Sequence, residues 1–206
     1  MFDLDLQVDL KLIENTQYKR IVGIDEVGRG SWAGPVAVGA YVIDSTTKML
    51  NGINDSKKVK PAKRSELSKE LSNDKHSIHL GDLDSINKIG IGKTITNLIG
   101  DIVDEYNSDE TFFLIDGQFA RNFGRNTLKI IRGDAIYYSV AAASILAKVY
   151  RDNLMRTLHF EYQNYGFNTN VGYPTFKHLA ALKKLGITKL HRTSYKPILK
   201  IISKRI

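Results

Sequence analysis

An apolar segment of this chain ends in two adjacent carboxylates, Asp25 and Glu26, and runs directly into Gly28-Arg29-Gly30. In a strand, neighbouring side chains point to opposite faces, so the two acids cannot both be accommodated in one apolar core. An unpaired buried charge is costly, and at least one of them needs a cation or water. The glycines let the backbone turn sharply and come close to a ligand. Carboxylates, backbone N–H groups and an arginine together suit a metal ion and a phosphate. Taken alone, the stretch serves equally as a polar turn with a surface acid pair. Two further acids shift that balance. Asp116 and Asp134 each stand where an apolar run meets a glycine or a turn. Acids at the ends of neighbouring strands can converge on one sheet edge. Four carboxylates there raise one another's pKa values unless divalent cations are present. Hard oxygen donors suit Mg2+ or Mn2+, and two such ions about 4 Å apart can clamp the attacking and leaving oxygens of a phosphodiester.

These acids must be carried by strands and helices legible in the pattern. Residues 20–26 read as a short buried strand and 36–43 as a second, too closely connected for a helical crossover and therefore antiparallel. Residues 111–115, ending at Asp116-Gly117, and 127–131, ending before Gly133-Asp134, are further strands; 77–80 is a weaker one. Helices are predicted over 60–74, 83–106, 139–155 and 175–184, the last stopping at Gly186. The Ala-rich 139–155 segment is apolar nearly all round and should be largely buried. Residues 2–12 alternate like a strand yet fit a helix equally well, and both readings stay open. Strands mixed with helices imply an α/β sheet.

Composition sets the frame. The chain has 206 residues, enough for one domain with a proper core, and no repeat or linker divides it. Its net charge of +8 fits a nucleic-acid partner, although charge alone does not exclude a merely basic protein. The absence of cysteine excludes disulfides, thiolate zinc sites and cysteine nucleophiles. There is no signal-peptide pattern and no membrane-length apolar run, so a cytoplasmic protein without membrane association is expected. Two motif matches fail. Gly28-x-Gly30-x-x-x-Gly34 has the wrong spacing for a dinucleotide fingerprint, and Gly92-Lys93-Thr94 lacks the preceding glycine of a P-loop. The 5 histidines form no metal-ligand pattern.

Over residues 20 to 197 the chain resembles the type 2 ribonucleases H, the ribonuclease HII family. The motifs that carry the resemblance are Gly-Ile-Asp25-Glu26-Val-Gly-Arg29-Gly, Asn54-Asp55-Ser56-Lys57-Lys58, Leu114-Ile-Asp116-Gly, Gly133-Asp134-Ala, the run from Ser139 through Lys148 to Arg151-Asp152, Gly172-Tyr173-Pro-Thr, and His191-Arg192-Thr-Ser194. The resemblance implies a ribonuclease H-like mixed β-sheet flanked by helices. A single catalytic domain would span 1–206, with residues 1–19 as an N-terminal extension and about 174–206 as a C-terminal helical portion. It also implies cleavage of RNA in RNA/DNA hybrids, and at ribonucleotides embedded in duplex DNA, leaving 3′-hydroxyl and 5′-phosphate ends. Carried over by position, Asp25, Glu26, Asp116 and Asp134 are catalytic metal ligands for two Mg2+ or Mn2+ ions. Gly28, Arg29 and Gly30 read a ribose 2′-hydroxyl, Lys57 lies near the phosphate backbone, and Tyr173 packs on the sugar at an RNA–DNA junction. Arg192, with His191, suggests a phosphate contact. A monomer is expected, and no protein partner is identified. The related type 3 enzyme shares the fold and acids, but Gly28-Arg29-Gly30 favours type 2. Arg132, Ile136 and Tyr150 depart from the family's usual residues. For Asp152 a salt bridge with Arg151 or Arg156 is favoured over an auxiliary metal-site role.

Overall fold

The structure is a computed structural model, and it describes residues 4–14 and 16–203. Five strands form one sheet: β1 (Arg20–Val27), β2 (Val36–Asp44), β3 (His76–Gly81), β4 (Thr111–Asp116) and β5 (Thr127–Ile130). Their order is β3-β2-β1-β4-β5. The β1–β2 and β2–β3 pairs are antiparallel, as the short connection between β1 and β2 requires, whereas β4 and β5 join in parallel. The two acid-bearing strands, β1 and β4, are therefore central neighbours running in the same direction.

Helices cover both faces: α1 (Leu6–Glu14), α2 (Pro61–Leu71), α3 (Leu83–Ile89), α4 (Ile91–Tyr106), α5 (Tyr138–His159), α6 (Phe167–Asn170), α7 (Phe176–Leu185) and α8 (Lys196–Ser203). On one face, Ile21 and Leu114 pack against α5, α1 and α2. On the other, Val22, Ile24, Phe113 and Ile115 pack against α4. Every residue of α5 from Tyr138 to Ala147 is buried, as its all-round apolar character implies. Small residues let it lie almost on the sheet, since a Cβ at Gly23 would come within 2.2 Å of the Ser139 backbone.

One open choice is resolved and one local expectation is revised. The open choice at residues 2–12 resolves as helix, because Leu6, Asp9, Leu10 and Ile13 fall on one side at helical spacing and pack inward. Residues 2 and 3 of that stretch lie outside the described residues. Asp9 is buried and accepts hydrogen bonds from the backbone N–H groups of Tyr138 (2.8 Å) and Ser139 (3.2 Å), capping α5 from a distant part of the chain. The single helix expected over 83–106 is two, because Gly90 at φ 83° ends α3 and begins α4. Gly92-Lys93-Thr94 lies within α4, so no phosphate loop exists there. Among the described residues no helix is long and apolar enough to cross a membrane.

Candidate active site

Strand register brings the acids together. Gly23 pairs with Leu114 and Ile24 with Ile115, so Asp25 and Asp116 come level one step further on. Alternation turns both toward the α5 face and turns Glu26 toward the opposite one. Asp134 arrives from a short 3-10 turn, Gly133–Ala135, immediately before α5. The Gly133 N–H donates to Asp116 Oδ1 at 3.0 Å, tying that turn to the end of β4. Carboxylate oxygens of Asp25, Asp116 and Asp134 all lie within 4.8 Å of one another. Glu26 stands outside this group at the rim, its Oε1 3.3 Å from Arg29 Nη1.

Electrostatics disfavour full ionisation of the cluster. Burial pushes the Asp25 carboxyl well up; Ser144 counters with a hydrogen bond, and Glu26, Asp116 and Asp134 add repulsion. Burial, then Asp55 and Asp116, raise Asp134, against the pull of Lys57 and Lys58. Glu26 is raised by burial, and Arg29 offsets part of the rise. Burial would lower the Lys57 ammonium, yet Asp134, Asp55 and Asp25 hold it above its ordinary value. An all-oxygen, mutually repelling donor set of this kind fits a hard divalent cation.

A cavity of about 360 Å³ opens beside these acids. Asp25, Glu26, Gly28, Arg29, Gly30, Lys57 and Tyr173 all line it. Gly28 has φ 93° and lies so close to the buried Arg151 that a Cβ would sit 2.1 Å from its Nε, so an internal contact already demands glycine here. A Cβ at Gly30 would meet nothing within 4 Å, so the protein itself makes no such demand there. Ser56, Ser144 and Lys148 line the same cavity, although the motifs that contain them assign them no role. The signal was available: Ser144, Lys148 and Asp152 repeat at four residues on one face of α5. The Ser56 and Ser144 hydroxyls are 2.9 Å apart. Lys148 Nζ stands 5.2 Å from the centre of the Tyr173 ring, with the Arg151 guanidinium at 5.5 Å.

Two expectations are corrected. Asp152 pairs with Lys148, at 2.9 Å, and not with Arg151 or Arg156. Arg151 is turned inward onto the carbonyls of Pro35, Val171 and Ala33, and Arg156 binds Asn153. Arg192 is fully buried, so it cannot reach a phosphate. Its guanidinium donates to the carbonyls of Gly34 (3.0 Å), Arg29 (2.9 Å) and Pro35 (3.1 Å). His191 is equally inaccessible. His178 Nδ1 donates to the Tyr173 carbonyl (3.0 Å), its Nε2 accepts from His191 Nε2 (3.1 Å), and His191 Nδ1 accepts from the Thr188 N–H (2.9 Å). Those partners fix both rings as neutral tautomers.

Known proteins are similar to this chain in sequence and in fold. The family model described as ribonuclease HII matches residues 22–198. The ribonuclease HII of Chlamydia muridarum is 41% identical over 184 residues, 88% of this chain and 84% of that protein. The crystal structure of ribonuclease H2 from Pyrococcus horikoshii superposes with a TM-score of 0.74 at 23% identity, covering 90% of this chain and 98% of that one. Bst-RNase HIII in complex with Mn2+ gives a TM-score of 0.67 at 17% identity, covering 93% of this chain and 72% of that one. With the family model spanning most of its length and a relative above two-fifths identity across more than four-fifths of both proteins, the chain belongs to the ribonuclease HII family.

Proposed function

We propose that this protein cuts the RNA strand of RNA/DNA hybrids and also cleaves 5′ of single ribonucleotides embedded in duplex DNA. As a ribonuclease HII it is a metal-dependent ribonuclease, and hybrid cleavage follows from that membership. The finer reading rests on one juxtaposition: three carboxylates clustered within 4.8 Å, beside a cavity lined by Gly28, Arg29, Gly30 and Tyr173. Two divalent cations, Mg2+ or Mn2+, held by Asp25, Asp116 and Asp134 with Glu26 at the rim, would supply the charge that activates water and stabilises the leaving oxygen, giving 3′-hydroxyl and 5′-phosphate ends. The chain's own groups set the substrate. Backbone at Gly28–Gly30 approaches the ribose, whose 2′-hydroxyl distinguishes RNA from DNA at a single position. Tyr173 offers a flat ring to a deoxyribose, where a 2′-hydroxyl would crowd it. Lys57 faces the phosphates.

A labelled duplex carrying one ribonucleotide tests this, incubated with Mg2+, Mn2+ or EDTA. Cleavage 5′ of the ribonucleotide is expected with either metal and none in EDTA, and Tyr173→Ala should lose junction cleavage with little change in Tm. Full activity in EDTA would overturn the metal reading. Digestion of long hybrids alone would favour the type 3 enzyme.

A further inference from the structure

Arg192 occupies a sequence motif that suggested a phosphate ligand, yet it lies in the interior behind the Gly28–Gly30 turn. We infer that Arg192 and Tyr195 are positioning residues for ribose recognition: they hold the Arg29 carbonyl inward and so aim the Gly30 N–H into the cavity. The inference rests on the proposed reading of that turn as the 2′-hydroxyl contact.

The bonds are specific. Arg192 Nη1 donates to the Arg29 carbonyl at 2.9 Å and to the Tyr195 hydroxyl at 2.9 Å. The Tyr195 hydroxyl passes its own hydrogen to that same carbonyl at 2.6 Å. Two donors three residues apart thus converge on a single oxygen of the turn. A trans peptide is planar, with its C=O and the following N–H pointing in opposite directions. No cis peptide occurs among the described residues, so fixing the Arg29 oxygen inward fixes the Gly30 hydrogen outward. The next peptide back is held similarly, since the Gly28 carbonyl accepts from the Ser31 N–H at 3.2 Å and leaves the Arg29 N–H facing away from the turn. Both outward amides belong to residues that line the cavity.

The remaining donors brace the turn. Arg192 binds the carbonyls of Gly34 and Pro35, and its backbone N–H donates to the Trp32 carbonyl at 2.8 Å. Burying a guanidinium without a carboxylate partner is expensive. A neutral apolar residue would pack the same space without that cost, but would leave the carbonyls of residues 29, 34 and 35 without these donors. Arginine's planar fork suits this task, since it reaches several acceptors in fixed geometry where lysine has one flexible ammonium.

Tyr195→Phe is the informative variant. It deletes one hydroxyl from a half-buried ring and leaves the guanidinium in place, so it should fold. Binding is measured in Ca2+, without turnover, to a duplex with one ribonucleotide and to the same duplex in all-DNA form. Wild type should prefer the ribonucleotide. Tyr195→Phe should reduce that preference about three- to tenfold, the worth of one hydrogen bond, with all-DNA affinity and Tm near wild type. Arg192→Lys should reduce it further. A preference unchanged in Tyr195→Phe, with wild type discriminating, would overturn this inference alone. A wild type that does not discriminate would overturn both the inference and the ribose-reading proposal beneath it.

Discussion

Two groups of buried polar residues adjoin segments that line the cavity, and they are built on opposite principles. At the strand ends, Asp25, Asp116 and Asp134 crowd together, and burial with mutual repulsion raises Asp25 and Asp134. Beside them, Arg151, Arg192, His178 and His191 are buried more completely, yet their polar atoms are matched to carbonyls, an N–H and one another. In the first region Lys57 and Lys58 offset only part of the rise at Asp134, and an incoming cation can supply the rest. The second has partners already in place and holds loops. Burial of polar groups therefore marks function only where partners are missing; where they are complete, it marks architecture.

The sharpest break in this contrast comes from removing one charge in each region. Asp25→Asn or Asp134→Asn should lower turnover by about a thousandfold or more, since several kcal/mol of transition-state stabilisation go at 1.36 kcal/mol per tenfold. The same variants should raise the metal-free Tm by a few degrees, at roughly 2–4 °C per kcal/mol, because they relieve repulsion. Single-turnover kinetics and thermal melts in EDTA read both effects. Near-normal cleavage, or a lowered Tm, would mean that these acids are not the frustrated cluster described.

Arg151→Ala should do the reverse to stability. It strips donors from the carbonyls of Pro35, Val171 and Ala33 and opens a cavity. It also releases Val171, a β-branched residue held at φ 41° next to the Gly172-Tyr173 pair. A loss of about 3–5 kcal/mol is expected in urea melts. A loss under 1 kcal/mol would deny the clamp its role.

Acid separates the regions more gently. Burial, then His178, hold His191 down at about 4 against an ordinary 6.5. A depressed folded pKa means that its contribution is intact above pH 6.5 and is lost as pH falls through about 4. Asp9 runs the other way: burial raises it from 3.8 to about 6, so its contribution is complete below pH 3.8 and lost as pH rises through about 6. His191→Asn should flatten the fall in Tm on acidification from pH 6.5 to 4, although it lowers Tm at neutral pH. An unchanged acid slope would show that the histidine pair is not the acid-labile element.

The smallest effect concerns the exposed rim. Lys57→Ala should reduce the log–log salt dependence of duplex binding by about 0.9, one phosphate contact on B-DNA. An unchanged slope would remove Lys57 from the substrate path.

Much of this was legible in the amino-acid order. An acid where an apolar run meets a glycine or a turn marks a candidate ligand, and Asp116 at the end of β4 shows this most directly, with Asp25 near the end of β1 and Asp134 in the turn after β5. The α/β sheet and the buried Ala-rich helix followed from period and run length, because these are local properties of the chain, whereas the mixed sheet came with the family resemblance. Tertiary structure alone decided which polar residues were inside and who satisfied them. Asp9 caps a helix about 130 residues away in sequence, Arg192 reaches carbonyls more than 150 residues back, and Glu26 is parted from Asp25 by the pleat. A side chain's type states what bonds it can make; its partner is set by packing between distant elements. For that reason His191-Arg192 read as a phosphate contact in one dimension and is a clamp in three.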